Sequence, residues 1–175
     1  VIGFLLATYL SGQTRTKDFW YSLVAGIAVL GVAFFPTWRP GVPDGAARCG
    51  SKPMPDGCSP VQQQLGESLV AGIHFFCAVV FILSLARIAF MFAHREEKYE
   101  RDTAKARFQR LCGWAIIAAV VWVVVGELLG VVIWELTPLY LGEVIAVWAF
   151  GVSWLSKGKD LRGMLIPKRR ERPAT

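Results

Sequence analysis

Long apolar runs alternate with connectors that sort their basic residues in one direction, and this pattern limits the chain to very few folds. Phe19–Phe35, Leu65–Ala93, Leu111–Trp134 and Leu139–Leu155 are nearly free of charge. A bilayer core takes about 20 apolar residues per helical span, and four runs of this chain reach or approach that length. Hydrocarbon offers no hydrogen bonds to backbone amides, so each run must satisfy its own, which means helices. Period-two alternation is missing, which argues against a membrane barrel. The expected fold is therefore all-α, a polytopic transmembrane helix bundle spanning residues 1–156, followed by a basic tail over 157–175.

The bundle should hold four full spans plus the end of an N-terminal one. Val1–Leu10 is apolar but only about half a span long, and no Met precedes it. The expectation is a chain that begins inside a helix, rather than after a cleaved signal peptide.

A net charge of +6 and a pI near 9.4 would suggest nucleic acid in a soluble protein. Location decides otherwise. Fifteen of the 19 basic residues lie in three places: Arg15 and Lys17, the connector 94–110, and the tail. The alternate connectors hold only Arg39, Arg48 and Lys52. The positive-inside rule then makes loop 94–110 and the C-terminus cytoplasmic and loop 37–64 external. The expected location is a bacterial inner (cytoplasmic) membrane. Expected partners are lipids and other membrane subunits, with no nucleic acid. Lys168, Arg169, Arg170 and Arg172 are the expected contacts to anionic lipid or to a partner, at about 1 kcal/mol per basic residue near the surface.

Cys49 and Cys58 lie in the short, polar, turn-rich loop on the side assigned as oxidising, so a disulfide is expected. No His accompanies them, and the spacing is not Cys-x-x-Cys, which weighs against a metal or redox pair. Cys77 and Cys112 lie within apolar runs and read as small buried residues.

Ionisable residues at membrane depth are costly and normally face protein or water. With helices rising about 1.5 Å per residue, His74 and Glu127 are each expected roughly 13 Å below the external ends of their spans. Glu143 falls about one turn into the last span, and Glu67 and Glu135 lie at the external rim. Glu67 and His74 share one helix stripe. Gly126 and Gly130 bracket Glu127, and Gly142 and Ala146 flank Glu143, as small-residue packing elements do. The expectation is that His74, Glu127 and Glu143 meet in an outward-facing polar cluster, with Glu67 and Glu135 at its edge. A structural hydrogen-bond cluster, a proton or cation site, and a His74 ligand to haem or pigment all fit that arrangement.

The strings Gly31-Val-Ala-Phe-Phe-Pro-Thr37 and Ala146-Val-Trp-Ala-Phe-Gly-Val-Ser-Trp-Leu-Ser-Lys-Gly158, with His74-Phe-Phe between them, resemble a family of bacterial multi-span inner-membrane proteins with no established activity. The resemblance covers the second to fifth apolar segments. It implies a further N-terminal span and transfers no residue role.

The chain carries no phosphate-binding Gly loop, nucleophile elbow, His-Glu-x-x-His or dinucleotide fingerprint. Three functions are compatible with this sequence. The first is a non-enzymatic accessory or structural subunit of a larger membrane assembly. The second is a small proton- or cation-coupled carrier using the His/Glu cluster. The third is a membrane-embedded enzyme or a pigment- or haem-binding subunit. No catalytic residue, metal site or cofactor is expected under the first.

Overall fold

A computed structural model describes residues 16–39, 41–42, 45–100, 102–131 and 136–165. The first apolar run, Val1–Leu10, lies outside them. The described chain is all-α. Its helices are α1 (Lys17–Phe34), α2 (Pro60–Leu65), α3 (Glu67–Arg95), α4 (Thr103–Leu129) and α5 (Pro138–Leu165), with a π-helical turn at Glu96–Glu100. Four of them, all except α2, are long and apolar enough to cross a membrane. The fold divides into two compact units, Val1–Leu85 and Ala86–Thr175.

Local chemistry explains most helix ends. Thr16 caps α1 by accepting the Phe19 N–H at 3.3 Å, and Pro36 follows its last turn. Ser59 and Gln62 form a reciprocal capping box on α2, with Pro60 at the first helical position, so two orphan amides are satisfied. Asp102 caps α4 by accepting the Ala104 and Lys105 N–H groups at 3.1 and 3.0 Å. The Lys105 backbone N–H is the main reason that the Asp102 carboxyl titrates below its ordinary range. The stabilisation is full above the unfolded-state pKa and fades as pH falls through the lowered folded-state value.

The connector 94–110 is largely helical, as its Glu and Lys/Arg residues at helical spacing lead one to expect: α3 runs on through Arg95 into the π turn and α4 starts again at Thr103. One boundary differs from the sequence expectation. At its other end α4 stops at Leu129 instead of Trp134. Gly130 adopts φ 63°, and the Val131 N–H reaches back to the Gly126 carbonyl at 2.9 Å. That is the left-handed closure of a Schellman turn. Hydropathy does not register it, since Val131, Val132, Ile133 and Trp134 continue the apolar run.

In the second unit α4 and α5 pack along a stripe of small residues. From α4 come Ala106, Gln109, Cys112, Gly113, Ile116, Ala119 and Gly126, all buried and spaced by about one or two turns. From α5 come Gly142, Ala146 and Ser153, also buried. Gly126 sits against the Pro138 ring, Gly142 against Val123, and Gln109 against Ser153, so the helices are antiparallel. Close approach is what such stripes permit in a membrane.

Gly142 is the tightest point, because a Cβ there would overlap the Val123 side chain and come 3.2 Å from the Ala119 carbonyl oxygen. Val is stiff at χ1, so Gly142→Ala should destabilise the pair by about 1–3 kcal/mol. Gly151 meets nothing within 4 Å. There the same substitution should be neutral or slightly stabilising, by up to about 1 kcal/mol from helix propensity. Thermal unfolding of the two variants in detergent checks the contrast.

Candidate functional site

The first unit is organised around a single carboxylate. Glu67 begins α3 and is 4% exposed. Its Oε1 accepts from the Arg39 backbone N–H at 3.0 Å and from Arg39 Nε at 3.3 Å. Its Oε2 accepts from Arg39 Nη2 at 3.3 Å and from the Cys49 N–H at 3.1 Å. The same guanidinium donates to the Asp56 and Ala47 carbonyls at 3.0 and 2.7 Å. One ion pair therefore gathers three separated stretches of the loop onto the start of α3.

The rest of the loop is tied in the same manner. Cys49 and Cys58 are disulfide-bonded, as expected. The Glu67 N–H donates to the Cys49 carbonyl at 3.2 Å, and buried Gln62 donates to the Thr37 carbonyl at 2.8 Å. Gly50 and Gly66 adopt φ 96° and 84° where their backbones touch, since a Cβ on Gly50 would lie 3.2 Å from Gly66 Cα. Only Gly takes such angles without strain. The closed loop is short, so loop-closure entropy gives the disulfide about 2.7 kcal/mol. Cys58→Ser should lower the stability of the first unit by roughly that amount. Protease susceptibility of the loop, compared with wild type under non-reducing conditions, measures it.

His74 is half-buried, and its Nδ1 lies 2.6 Å from the carbonyl of Phe35, the residue that closes α1. A carbonyl only accepts, so Nδ1 carries a proton and donates in this contact. His74 thus satisfies one orphan carbonyl of a helix end. Glu67 and His74 share a helix but not a partner, the carboxylate being engaged by Arg39 and Cys49.

Glu127 and Glu143 lie in the second unit, and both are exposed. The small residues beside them explain why. Gly126, Gly142 and Ala146 occupy the α4–α5 contact stripe, and the next residue along a helix is turned by about 100° away from it. Because α4 ends at Leu129, Glu127 lies only about 3 Å from the helix end, in place of the 13 Å expected from sequence. Glu143 sits about 7.5 Å into α5. Glu135 and the tail residues Lys168, Arg169, Arg170 and Arg172 lie outside the described residues.

A second buried polar set, which sequence reasoning missed, sits near the π turn. Glu96 is fully buried, and Lys157 Nζ, on α5, donates to its Oε1 at 2.5 Å. Fully buried Gln109 donates through Nε2 to the Ser153 carbonyl at 3.1 Å and accepts from the Ser153 hydroxyl. Arg110 pairs with Glu97 at the exposed rim. These bonds join the end of α3, the start of α4 and the middle of α5. π turns often mark functional positions, and here the turn carries the buried acid. Lys157 reads from sequence as the first residue of the basic tail, so only its separation from the later basic cluster could have singled it out.

Among the described residues no three His, Cys, Asp or Glu side chains gather in a metal-binding group. Comparison with protein-family models, with curated proteins and with solved structures finds no match to this chain.

Proposed function

We propose that the protein is a non-catalytic subunit of a larger membrane assembly, holding a stiffened loop on one side of the membrane. The observation that supports this most is how the polar groups are used. Buried Gln62, Glu67, Glu96, Gln109 and Ser153 are committed to bonds that hold helices and loop together. The helices themselves leave much apolar surface uncovered, with 17–28% of each candidate span buried. Glu143 stands exposed on one of those apolar helices. A carboxylate facing hydrocarbon costs about 2.5 kcal/mol or more, which a polar group on a neighbouring subunit would offset.

In this reading the membrane is a bacterial inner membrane. The α3–α4 connector and the basic tail face the cytoplasm, following the charge distribution, and the disulfide loop faces the oxidising side. The tail residues Lys168, Arg169, Arg170 and Arg172 contact anionic lipid or a partner. Solubilisation from native membrane in mild detergent should recover the protein in a stoichiometric complex larger than one chain. A lone monodisperse protomer overturns the proposal.

The exposed pair Glu127 and Glu143 favours one alternative, a small proton- or cation-coupled carrier. In that case Glu143→Gln abolishes pH-dependent flux in proteoliposomes. The subunit reading expects no flux from either form.

A further inference from the structure

The loop of the first unit forms an open cleft of about 280 Å³, lined by exposed Trp38, Val42, Ala46 and Arg48 over half-buried Arg39 and buried Glu67. Its two arginines are in different states. Arg39 donates through Nε, Nη1 and Nη2 to Glu67, Asp56 and Ala47, so its charge is matched and most of its donors are used. The Glu67 carboxylate is equally occupied, accepting from four donors on two residues.

Arg48 differs. Its guanidinium carbon lies 5.2 Å from the centroid of the Trp38 ring. Its Nη1 donates to the Ser68 hydroxyl at 2.9 Å. Both partners are neutral, and among the described residues no carboxylate pairs with it. A guanidinium has five N–H donors, and this one spends one of them. The stack on Trp38 and the bond to Ser68 fix its orientation beforehand, so little further entropy is lost when its free edge binds an anion. Val42, Ala46 and the Trp38 ring supply an apolar wall beside it.

We infer that this cleft is a binding site for a phosphate oxyanion, held by the free edge of Arg48 beside Trp38, Val42 and Ala46. Arg48 presents a planar donor fork that matches phosphate geometry. Arg39 and Glu67 form the neutralised floor and take no part in recognition. The phosphate belongs either to a phospholipid head group or to a free solute, because the cleft lies in the loop beside the first turn of α3, which begins a candidate span. This site is independent of the assembly proposal and can be tested on the isolated chain.

The test uses the purified full chain in a non-ionic detergent. Its melting temperature is followed against inorganic phosphate at constant ionic strength, and separately against phosphatidylglycerol with phosphatidylcholine as the reference lipid. A saturable rise with either phosphate source supports the site. A response to inorganic phosphate assigns a free oxyanion, and a response to phosphatidylglycerol alone assigns a lipid head group. Arg48→Gln should weaken that response at least tenfold, and Arg48→Lys less. Val42→Trp, which fills the cleft and keeps Arg48 in the chain, should also weaken it, and it keeps the test decisive if Arg48→Gln melts early without ligand. No saturable response to either probe overturns the inference, as does a response equal in wild type, Arg48→Gln and Val42→Trp.

Discussion

Glu67→Ala should open the disulfide loop at a cost of about 3–5 kcal/mol, the range for breaking a buried ion pair by removing one partner. The reason is specific to what remains. Arg39, 12% exposed, keeps its charge in a site built around a carboxylate, and the Cys49 N–H loses its acceptor. Glu67→Gln keeps one oxygen for Arg39, but a glutamine in that place turns an NH2 donor toward a second donor. It should lie between alanine and wild type. Replacing both partners with apolar residues of similar size, Arg39→Met with Glu67→Leu, should cost less than the sum of the single changes. Contacting pairs of this kind show coupling of about 0.5–3 kcal/mol.

The loop can be read locally without unfolding the spans. Cys49 is buried, so reductant reaches the Cys49–Cys58 bond by way of local opening. A loss of about 3 kcal/mol makes that opening roughly a hundred times more frequent. The rate of disulfide reduction by dithiothreitol in Glu67→Ala, relative to wild type, should rise by that order. An unchanged rate would mean that the ion pair does not hold the loop.

The other large effect is expected at Lys157→Met. This change takes the ammonium away from Glu96, which is fully buried, and should cost about 3 kcal/mol or more. The whole second unit should weaken, because the pair bridges the π turn and α5. Glu96→Gln should be milder, since an amide can still accept from Lys157 and costs less to bury than a charge. Arg110→Ala, which breaks the half-exposed pair with Glu97, should change stability by no more than about 1 kcal/mol. Trypsin cleavage in the connector, together with melting temperature in detergent, separates the three variants. Equal effects for Lys157→Met and Arg110→Ala would remove the distinction between buried and rim pairs.

What could be read from the sequence followed from local chemistry. The apolar run of α1 is contiguous, and the disulfide joins residues only nine positions apart. The partners that hold the structure are far apart in the chain. Arg39 and Glu67 are separated by 28 residues, Gln109 and Ser153 by 44, and Glu96 and Lys157 by 61. Charge counting assigned Arg39 to an external loop and Lys157 to a basic tail, and neither assignment points to a buried partner. The end of α4 escaped for a different reason, since a left-handed Gly130 inside an apolar run leaves no mark on hydropathy. The end of α4 therefore lies two residues beyond Glu127. Gly126 and Gly142 pack as read, whereas Gly130 closes α4 and touches nothing, and the carboxylates beside them turn outward.

The central proposal is that the disulfide loop lies outside the membrane and the α3–α4 connector lies in the cytoplasm. Single cysteines introduced at two exposed positions, Gln64→Cys in α2 and Arg107→Cys in α4, test it most directly. Each is exposed on intact cells to a maleimide that cannot cross the membrane, and again after permeabilisation. The account predicts labelling of Gln64→Cys on intact cells and labelling of Arg107→Cys only after permeabilisation. Labelling of both positions on intact cells, or of Arg107→Cys alone, would contradict it.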